Sequence, residues 1–482
     1  MATEEPAITS FTSDASKAGK LISERAEDDG FIHVVSHLDA DGLAAAGIIG
    51  KALWRLDANF RVRIQQWVDE KIVGEIASDS PKLTILTDLG SGYLNVLNEK
   101  LPNHQIVILD HHQAVGNVSA NILQVNPHDH GIDGSKEISG AGVAYFVAKT
   151  LDSSNADLAA LAVVGALGDM QDKYEQRALG GLNKIVVADA VDGGHLKVEK
   201  DLMFFGRETR PIHKALAYTT SPFLAGISGE EDKSLALLLS LGIKPKQGDK
   251  WRALRDLSEE EKRNLRSALS DHLVSKGYPS DVLSLVGSVY TLVCEDPWTP
   301  LRDAREFSVL LNSAGRMEKA GLGLAICMGD RSSALEQAII VLEEYRRAIT
   351  KYLRWLMEQP DRVSELESIY VIRGGDFINE KMIGTLSSIL STTLPKLEKP
   401  IIAYAVADEA AVKVSARTLE IMTSKGLDLG EIMRVAAEKF KGKGGGHDVA
   451  AGAQVPPENV DAFIKLVDEL VKKRVETIKG EG

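Results

Sequence analysis

Over the first third of the chain, short apolar runs alternate with stretches of helical period, and several runs stop at an acid or an imidazole. Residues 31–37 predict a strand ending in His37. Residues 43–56, rich in Ala and Leu, predict the helix that follows. Residues 60–68 alternate and predict a second strand, and residues 82–87 a third that ends before Asp88. Ile106-Val107-Ile108-Leu109 is unbroken and mostly β-branched, the pattern of a strand buried on both faces, and it runs into Asp110-His111-His112. Strands alternating with helices in this way predict an α/β fold on a doubly wound parallel sheet. Residues 1–30 read as a polar tail leading into a helix.

Ser139-Gly140-Ala141-Gly142 opens an apolar helix, and residues 156–168 form another that ends at Asp169. Its Ala159, Ala160, Ala162, Gly165 and Ala166 predict close packing against a neighbour. Residues 258–276 read as a charged helix, with Ser258 and Glu261 at capping-box spacing. Residues 332–358 carry one apolar stripe (Ile339, Leu342, Tyr345, Ile349, Leu353) and read as a single long helix stopped by Pro360. Strands return at residues 367–373, 400–406 and 411–417, and a last helix covers 458–478. The pattern divides the chain into a parallel-sheet domain (1–195), a helical insert (196–330), a connector helix (331–360) and a smaller C-terminal α/β domain (361–482).

The 482 residues are too many for one core, and 44% hydrophobic with 26% charged is ordinary for a soluble protein. No apolar run reaches the roughly 18 residues of a membrane span. The acidic first residues lack the order of a signal peptide, so a cytoplasmic location is expected. Cys294 and Cys327 make no disulfide framework and no metal-type spacing. With 56 basic and 69 acidic residues the net charge is −13, which gives no global attraction for nucleic acid. A polyanionic substrate would need local basic patches or metal ions.

If the sheet is parallel, His37, Asp39, Asp41, Asp88, His111 and His112 meet at its carboxyl edge, and Asp169 can join them. Each Asp taken singly also suits a helix cap. Together, so many carboxylates stay ionised only with positive charge between them. Oxygen-rich sites with some imidazole suit manganese or magnesium better than zinc.

His37-x-Asp39-x-Asp41-Gly42, Asp88-Leu89-Gly90, Asp110-His111-His112 and Gly168-Asp169 resemble, in order and spacing, the four motifs of the DHH phosphoesterases. Residues Leu311-Asn312-Ser313-Ala314-Gly315-Arg316-Met317 resemble the Asn-Ala-x-Gly-Arg segment of RecJ nucleases, with Ser313 and Ala314 departing from its order. Gly442-Lys443-Gly444-Gly445-Gly446-His447-Asp448, followed by Ala450-Ala451-Gly452, resembles the glycine-rich signature of the DHHA1 domain. The insert and the segment Arg207-Glu208-Thr209-Arg210-Pro211-Ile212 look most like archaeal RecJ-like, GINS-associated nucleases.

The resemblance implies a DHH catalytic domain with two divalent ions, manganese preferred over magnesium. One ion would take His37, Asp39 and Asp88, and the other Asp41, Asp88, His111 and Asp169. His112 would face the scissile phosphate, and Asp110 would orient a ligating imidazole. Substrate contacts are expected from Asn312, Arg316, Lys413, Arg417, Gly444, Gly445, Gly446, His447 and His128. The implied activity is exonucleolytic cleavage of single-stranded DNA, 5′ to 3′, with RNA also a substrate, in replication or repair. Two alternatives stay open: a replication-complex scaffold bound to GINS and the replicative helicase, and a phosphodiesterase for oligoribonucleotides, pAp or cyclic dinucleotides. No membrane partner is expected.

Overall fold

A computed structural model describes residues 4–28, 30–219, 224, 226–393, 399–408 and 411–480. The chain forms two compact units, Met1–Leu342 and Glu343–Gly482. It is a mixed α/β protein, with a parallel sheet in the first unit and a mixed sheet in the second.

The first unit opens with α1 (Glu4–Glu27), so helix begins at residue 4 where a polar tail is expected from the sequence. Phe11, Ala15, Ala18 and Ile22, spaced one helical turn apart, are buried. Their stripe is narrow and flanked by charge, and this is why it is hard to see. Strands β1 (Ile32–His37), β2 (Phe60–Gln65), β3 (Leu83–Thr87), β4 (Ile106–Leu109) and β5 (Ile122–Val125) pair in the order β2-β1-β3-β4-β5. All four pairings are parallel. Every residue of β3 and β4 is buried, as the unbroken apolar run of β4 requires and with Thr84 and Thr87 buried in β3, whereas β2 is a half-exposed edge. Helices α2 (Ala40–Arg55), α3 (Glu70–Asp79) and α4 (Leu94–Lys100) make the crossovers.

Helices α5 (Gly140–Leu151) and α6 (Ala159–Gly168) pack with α2, and α7 (Gly181–Asp192) follows. The small residues of α6 allow the close packing expected of them: a Cβ on Gly165 would lie 2.5 Å from Ala141 Cβ. The insert is not wholly helical. Strands β6 (Leu196–Leu202) and β9 (Val286–Leu292) form an antiparallel ribbon that brackets α8 (Ile212–Ala217), α9 (Glu231–Ser240), the small hairpin β7 (Lys246–Gln247) and β8 (Lys250–Trp251), and α10 (Glu259–Ser275). The capping box of α10 is made: Ser258 Oγ accepts the Glu261 N–H at 3.2 Å, and Glu261 Oε2 accepts the Ser258 N–H at 2.8 Å. Helix α11 (Ala304–Arg316) returns against α2 and α6, followed by α12 (Ala320–Cys327). Cys294 is exposed, Cys327 is buried, and both are free thiols.

Helix α13 (Ser333–Glu358) runs across the boundary into the second unit. There β10 (Val363–Glu365), β11 (Tyr370–Gly375), β12 (Ile401–Asp408), β13 (Ala411–Arg417), β14 (Lys443–Gly446) and β15 (Ala450–Val455) form a sheet of order β10-β11-β12-β13-β15-β14. Only β11 and β12 pair in parallel. Three of these strands follow from apolar runs; β10 is too short, and β14 and β15 too rich in glycine and alanine, to declare themselves. Helix α14 (Ile383–Thr393) packs on β12 and β13; α15 (Glu420–Thr423), α16 (Leu429–Lys439) and α17 (Val460–Gly480) complete the unit. Val412, Val414 and Ala416 share a core with Met433, Ala437, Phe463 and Val467, so α16 and α17 cover one face of the sheet. Among the described residues no helix is long and apolar enough to cross a membrane.

Candidate metal centre

In a sheet of this strand order the ligand crevice lies beyond the carboxyl ends, where the chain leaves β1 in one direction and β3 lies in the other. The register sets Ser36 beside Thr87 and Thr87 beside Leu109, so His37, Asp88 and Asp110 reach this edge together. Asp39 N-caps α2: Oδ1 accepts the Gly42 N–H at 3.1 Å, while Oδ2 lies 3.0 Å from His37 Nδ1. Asp41 is fully buried in the first turn of α2. Its carboxylate accepts the N–H groups of Gly140 (2.6 Å) and Ala141 (3.0 Å) at the start of α5. Capping, an alternative open on sequence, is thus real for Asp39, and for Asp41 it acts on a helix a hundred residues away.

Asp88 sits at φ 56°, a left-handed conformation that Asp tolerates better than most residues. It stands between two groups. Oδ2 is 3.6 Å from His37 Nδ1, and Oδ1 is 3.1 Å from His111 Nε2. His111 Nε2 is also 3.3 Å from Asp169 Oδ2 and 3.7 Å from Asp41 Oδ2. His37, Asp39 and Asp88 form one candidate metal-binding set, and Asp41, His111 and Asp169 another.

Burial opposes every charge here, and the departures show what the pocket lacks. Burial and the nearby acids Asp88 and Asp169 push the Asp41 carboxyl well above its ordinary range; burial, with Asp39 and Asp88 close by, raises Asp169 as well. Burial would suppress the His37 imidazolium, yet Asp39 and Asp88 raise its pKa to about 10. Burial acts the same way on His111, and Asp169 and Asp88 overcome it. Asp39 titrates below the usual carboxylate range despite its burial, because His37, the Gly42 N–H and the Arg316 charge face it. The acids outnumber the imidazoles that can neutralise them, and oxygens predominate in each set. Divalent cations fit this donor chemistry.

The adjacent imidazoles differ. Asp110 Oδ2 accepts the Ser91 N–H at 2.9 Å; Oδ1 accepts the N–H groups of His111 (2.8 Å) and His112 (3.2 Å) and lies 2.8 Å from His112 Nδ1. Asp110 therefore faces the ring of His112 and meets His111 at its backbone N–H. The His111 ring places Nδ1 2.7 Å from the Gly134 carbonyl. The two rings lie side by side, their centroids 4.4 Å apart, and differ in what their Nδ1 atoms face. The His112 side chain is 36% exposed and that of His111 0%. Of the two, only His112 meets solvent.

Two buried amides were missed from sequence. Asn126 Nδ2 donates to Ser91 Oγ and to the His112 carbonyl, both at 2.9 Å, and its Oδ1 accepts the His128 N–H at 3.0 Å. Gln171 Nε2 donates to the Gly134 carbonyl at 2.9 Å. Neither is charged, so a search for converging charge passes over them; their placement beside Pro127 and Asp169 is the only signal. His128 is half-buried, its Nδ1 3.3 Å from Gln113 Nε2.

Helix α11 lies against the loop between β1 and α2. Asn312 Oδ1 accepts the Ala40 N–H at 3.1 Å, so this residue, expected at the substrate, is engaged by the start of α2, between Asp39 and Asp41. A Cβ on Gly315 would fall 1.7 Å from the Leu38 carbonyl oxygen. Only glycine permits that approach.

In the second unit Lys413, Ser415 and Arg417 project from the face of β13 opposite its core residues. Arg417 Nε donates to Ser388 Oγ of α14 at 2.8 Å. Cross-strand register aligns Ser415 with Gly452, and Gly452 with Gly445. Nothing lies within 4 Å of where a Gly445 Cβ would be, whereas a Cβ on Gly444 would meet the Met433 carbonyl at 2.4 Å, and Gly446 has φ 134°. Packing and backbone shape thus require glycine at 444 and 446, and Gly445 leaves bare backbone on the face that carries Lys413. His447 is half-buried and donates its N–H to the Ala450 carbonyl at 2.9 Å.

Three family models match: the N-terminal domain of the DHH family at residues 31–166, the DHH-CID domain at 204–286 and the DHHA1 domain at 368–473. The chain belongs to the DHH/DHHA1 phosphoesterase superfamily. An uncharacterized protein of Methanocaldococcus jannaschii is 32% identical over 466 residues, which are 95% of this chain and 98% of that protein. In fold it is similar to manganese-bound RecJ of Thermus thermophilus (20% identity, TM-score 0.58), with 95% of this chain and 55% of that chain covered. It is also similar to a manganese-bound exonuclease RecJ (19%, 0.55, 95% and 94%) and to CDC45 of Entamoeba histolytica (13%, 0.62, 96% and 99%).

Proposed function

We propose that this protein is a two-metal phosphodiesterase that removes nucleotides from single-stranded DNA, 5′ to 3′, with RNA as a second substrate. The observation that carries the reading is Asp88, with one carboxylate oxygen toward His37 and the other toward His111. His37, Asp39 and Asp88 would hold one ion, and Asp41, Asp88, His111 and Asp169 the other, manganese in preference to magnesium. Such ions, when bound, supply Lewis acidity and lower the pKa of water enough for it to attack a phosphodiester. Asp110 fixes the His112 ring at the exposed side of the centre, where it would meet the scissile phosphate and donate to its developing charge. Asn312 and Gly315 would serve this reaction by seating the loop of Asp39 and Asp41 on α11. In the second unit Lys413, Arg417, Gly445 and His447 would bind substrate phosphates, and in the first unit Arg316 and His128 would do so. Catalysis is assigned to residues 1–195 and substrate binding to 361–482, with 196–330 and 331–360 as insert and connector. Manganese-bound RecJ structures of the same fold support this reading.

A second reading is favoured by the CDC45 likeness, which spans nearly both chains: a scaffold bound to GINS and the replicative helicase. A time course on 5′- and 3′-labelled DNA and RNA oligomers with Mn2+ or Mg2+ separates the possibilities. Processive loss from the 5′ end of long single strands, abolished in Asp88→Ala, is expected. Cleavage of short RNA alone would favour a small-oligonucleotide or cyclic-dinucleotide enzyme, and no cleavage with co-elution of GINS the scaffold. An Asp88→Ala protein as active as its parent would sink the two-metal reading.

A further inference from the structure

Gln171 is fully buried and makes three hydrogen bonds with its side-chain amide. Nε2 donates to the carbonyls of Gly134 (2.9 Å) and Ile138 (3.1 Å), and Oε1 accepts from Asn183 Nδ2 at 2.7 Å. Two acceptors on one side and a donor on the other leave the amide a single orientation. Asn183, itself buried in α7, anchors the arrangement from outside the centre and is fixed in turn by its N–H to the Glu137 carbonyl at 2.8 Å.

Both carbonyls lie on the loop that leads into α5. The Gly134 oxygen is shared with His111 Nδ1 at 2.7 Å, so Gln171 holds the acceptor that sets the angle of the His111 ring. Ile138 stands just before Ser139, Gly140 and Ala141, and the N–H groups of the last two cradle Asp41. Asp169, the third member of that set, lies two residues before Gln171, and the chain returns between them with the Gln171 N–H on the Ala166 carbonyl at 3.0 Å. His37 and Asp39 are seated elsewhere, at the end of β1 and at the N-cap of α2, where the adjacent Ala40 N–H is held by Asn312 of α11.

We infer that Gln171, held by Asn183, is a positioning residue for the Asp41/His111/Asp169 set and not for the His37/Asp39/Asp88 set. The inference rests on the two-metal reading above. Groups that hydrogen-bond a ligating imidazole govern about 10–100-fold in metal affinity; Gln171 acts through one such group, the Gly134 carbonyl, so its effect should reach at most that range and be confined to one ion of two.

The test is Mn2+ titration of the full chain by calorimetry and by electron paramagnetic resonance, with melting temperatures in EDTA. The parent should bind two ions and show the spin coupling of a close pair. Gln171→Leu and the near-isosteric Gln171→Glu should keep one ion at parental affinity, weaken the other by up to about 100-fold, and lose the coupled signal. Asn183→Ser, which loosens the clamp without touching the loop, should show the same selective loss at smaller amplitude, and it carries the test if the Gln171 variants do not fold. Variants that bind both ions like the parent overturn the inference. So does an equal weakening of both ions with a lowered melting temperature, the mark of general loosening. A parent that binds no ion pair overturns the two-metal reading itself, and the inference with it.

Discussion

The contact of α11 with the loop between β1 and α2 gives the sharpest prediction. Replacing Gly315 by Ala puts a methyl carbon 1.7 Å from the Leu38 carbonyl oxygen, when real Cβ atoms keep at least 3.0 Å. The oxygen belongs to backbone, so no side-chain rotation relieves the clash; either the helix or the loop must back away by more than an ångström. Overpacking of this kind costs about 1–3 kcal/mol. Leu38 lies between His37 and Asp39, so the same shift moves both, and misplacement of about 1 Å at reacting groups costs on the order of 100-fold in rate. Gly321 in α12 is the control, because a Cβ there meets nothing within 4 Å. Gly321→Ala should match or exceed parental stability, by about 0.5–1 kcal/mol, through helix propensity. Urea denaturation and Mn2+-dependent hydrolysis of a labelled single strand measure the two effects. If Gly315→Ala unfolds at the parental midpoint and cleaves at the parental rate, the close approach and the role given to α11 are both wrong.

Three further outcomes are expected. Asp110→Asn replaces a carboxylate whose contacts are all N–H groups by an amide that turns an NH2 toward some of them; a loss of about 1.5–3 kcal/mol in EDTA, with loss of hydrolysis, should follow, and an unchanged denaturation midpoint would contradict it. Glu306, buried with Asp303 and Glu208 nearby, has its pKa raised from 4.5 to about 7. The folded state then holds the proton to higher pH than the unfolded chain, so stability falls as pH rises from about 4.5 to about 7. Glu306→Gln should flatten that slope and gain up to about 3 kcal/mol at pH 8; a parent–variant difference that is the same at pH 5 and pH 8 would refute it. Finally, Mn2+ at roughly 100 times its dissociation constant should stabilise the parent by about 2.7 kcal/mol in thermal melts, with a smaller effect from Mg2+. An equal shift in Asp88→Ala would show that the ions bind elsewhere.

Much of the architecture was legible in the chain itself. The unbroken, mostly β-branched run at residues 106–109 belongs to a strand buried on both faces, and the run at 83–87 is buried throughout although it carries Thr84 and Thr87. Acids and imidazoles at the ends of successive runs must share an edge once the sheet is parallel, and His37, Asp39, Asp88 and His111 follow from that rule, whereas Asp169, at the end of α6, is brought to them by helix packing. Short or glycine-rich strands such as β10 and β14 stayed hidden, since their apolar pattern is absent and pairing alone creates them. Which ring Asp110 holds, how Asp41 is seated on α5, and that Asn312 serves the β1–α2 loop were decided by the tertiary structure alone. So was the clamp of Gln171 and Asn183. Each of these depends on hydrogen bonds whose partners are chosen by the fold, and periodicity, charge and spacing carry no record of them.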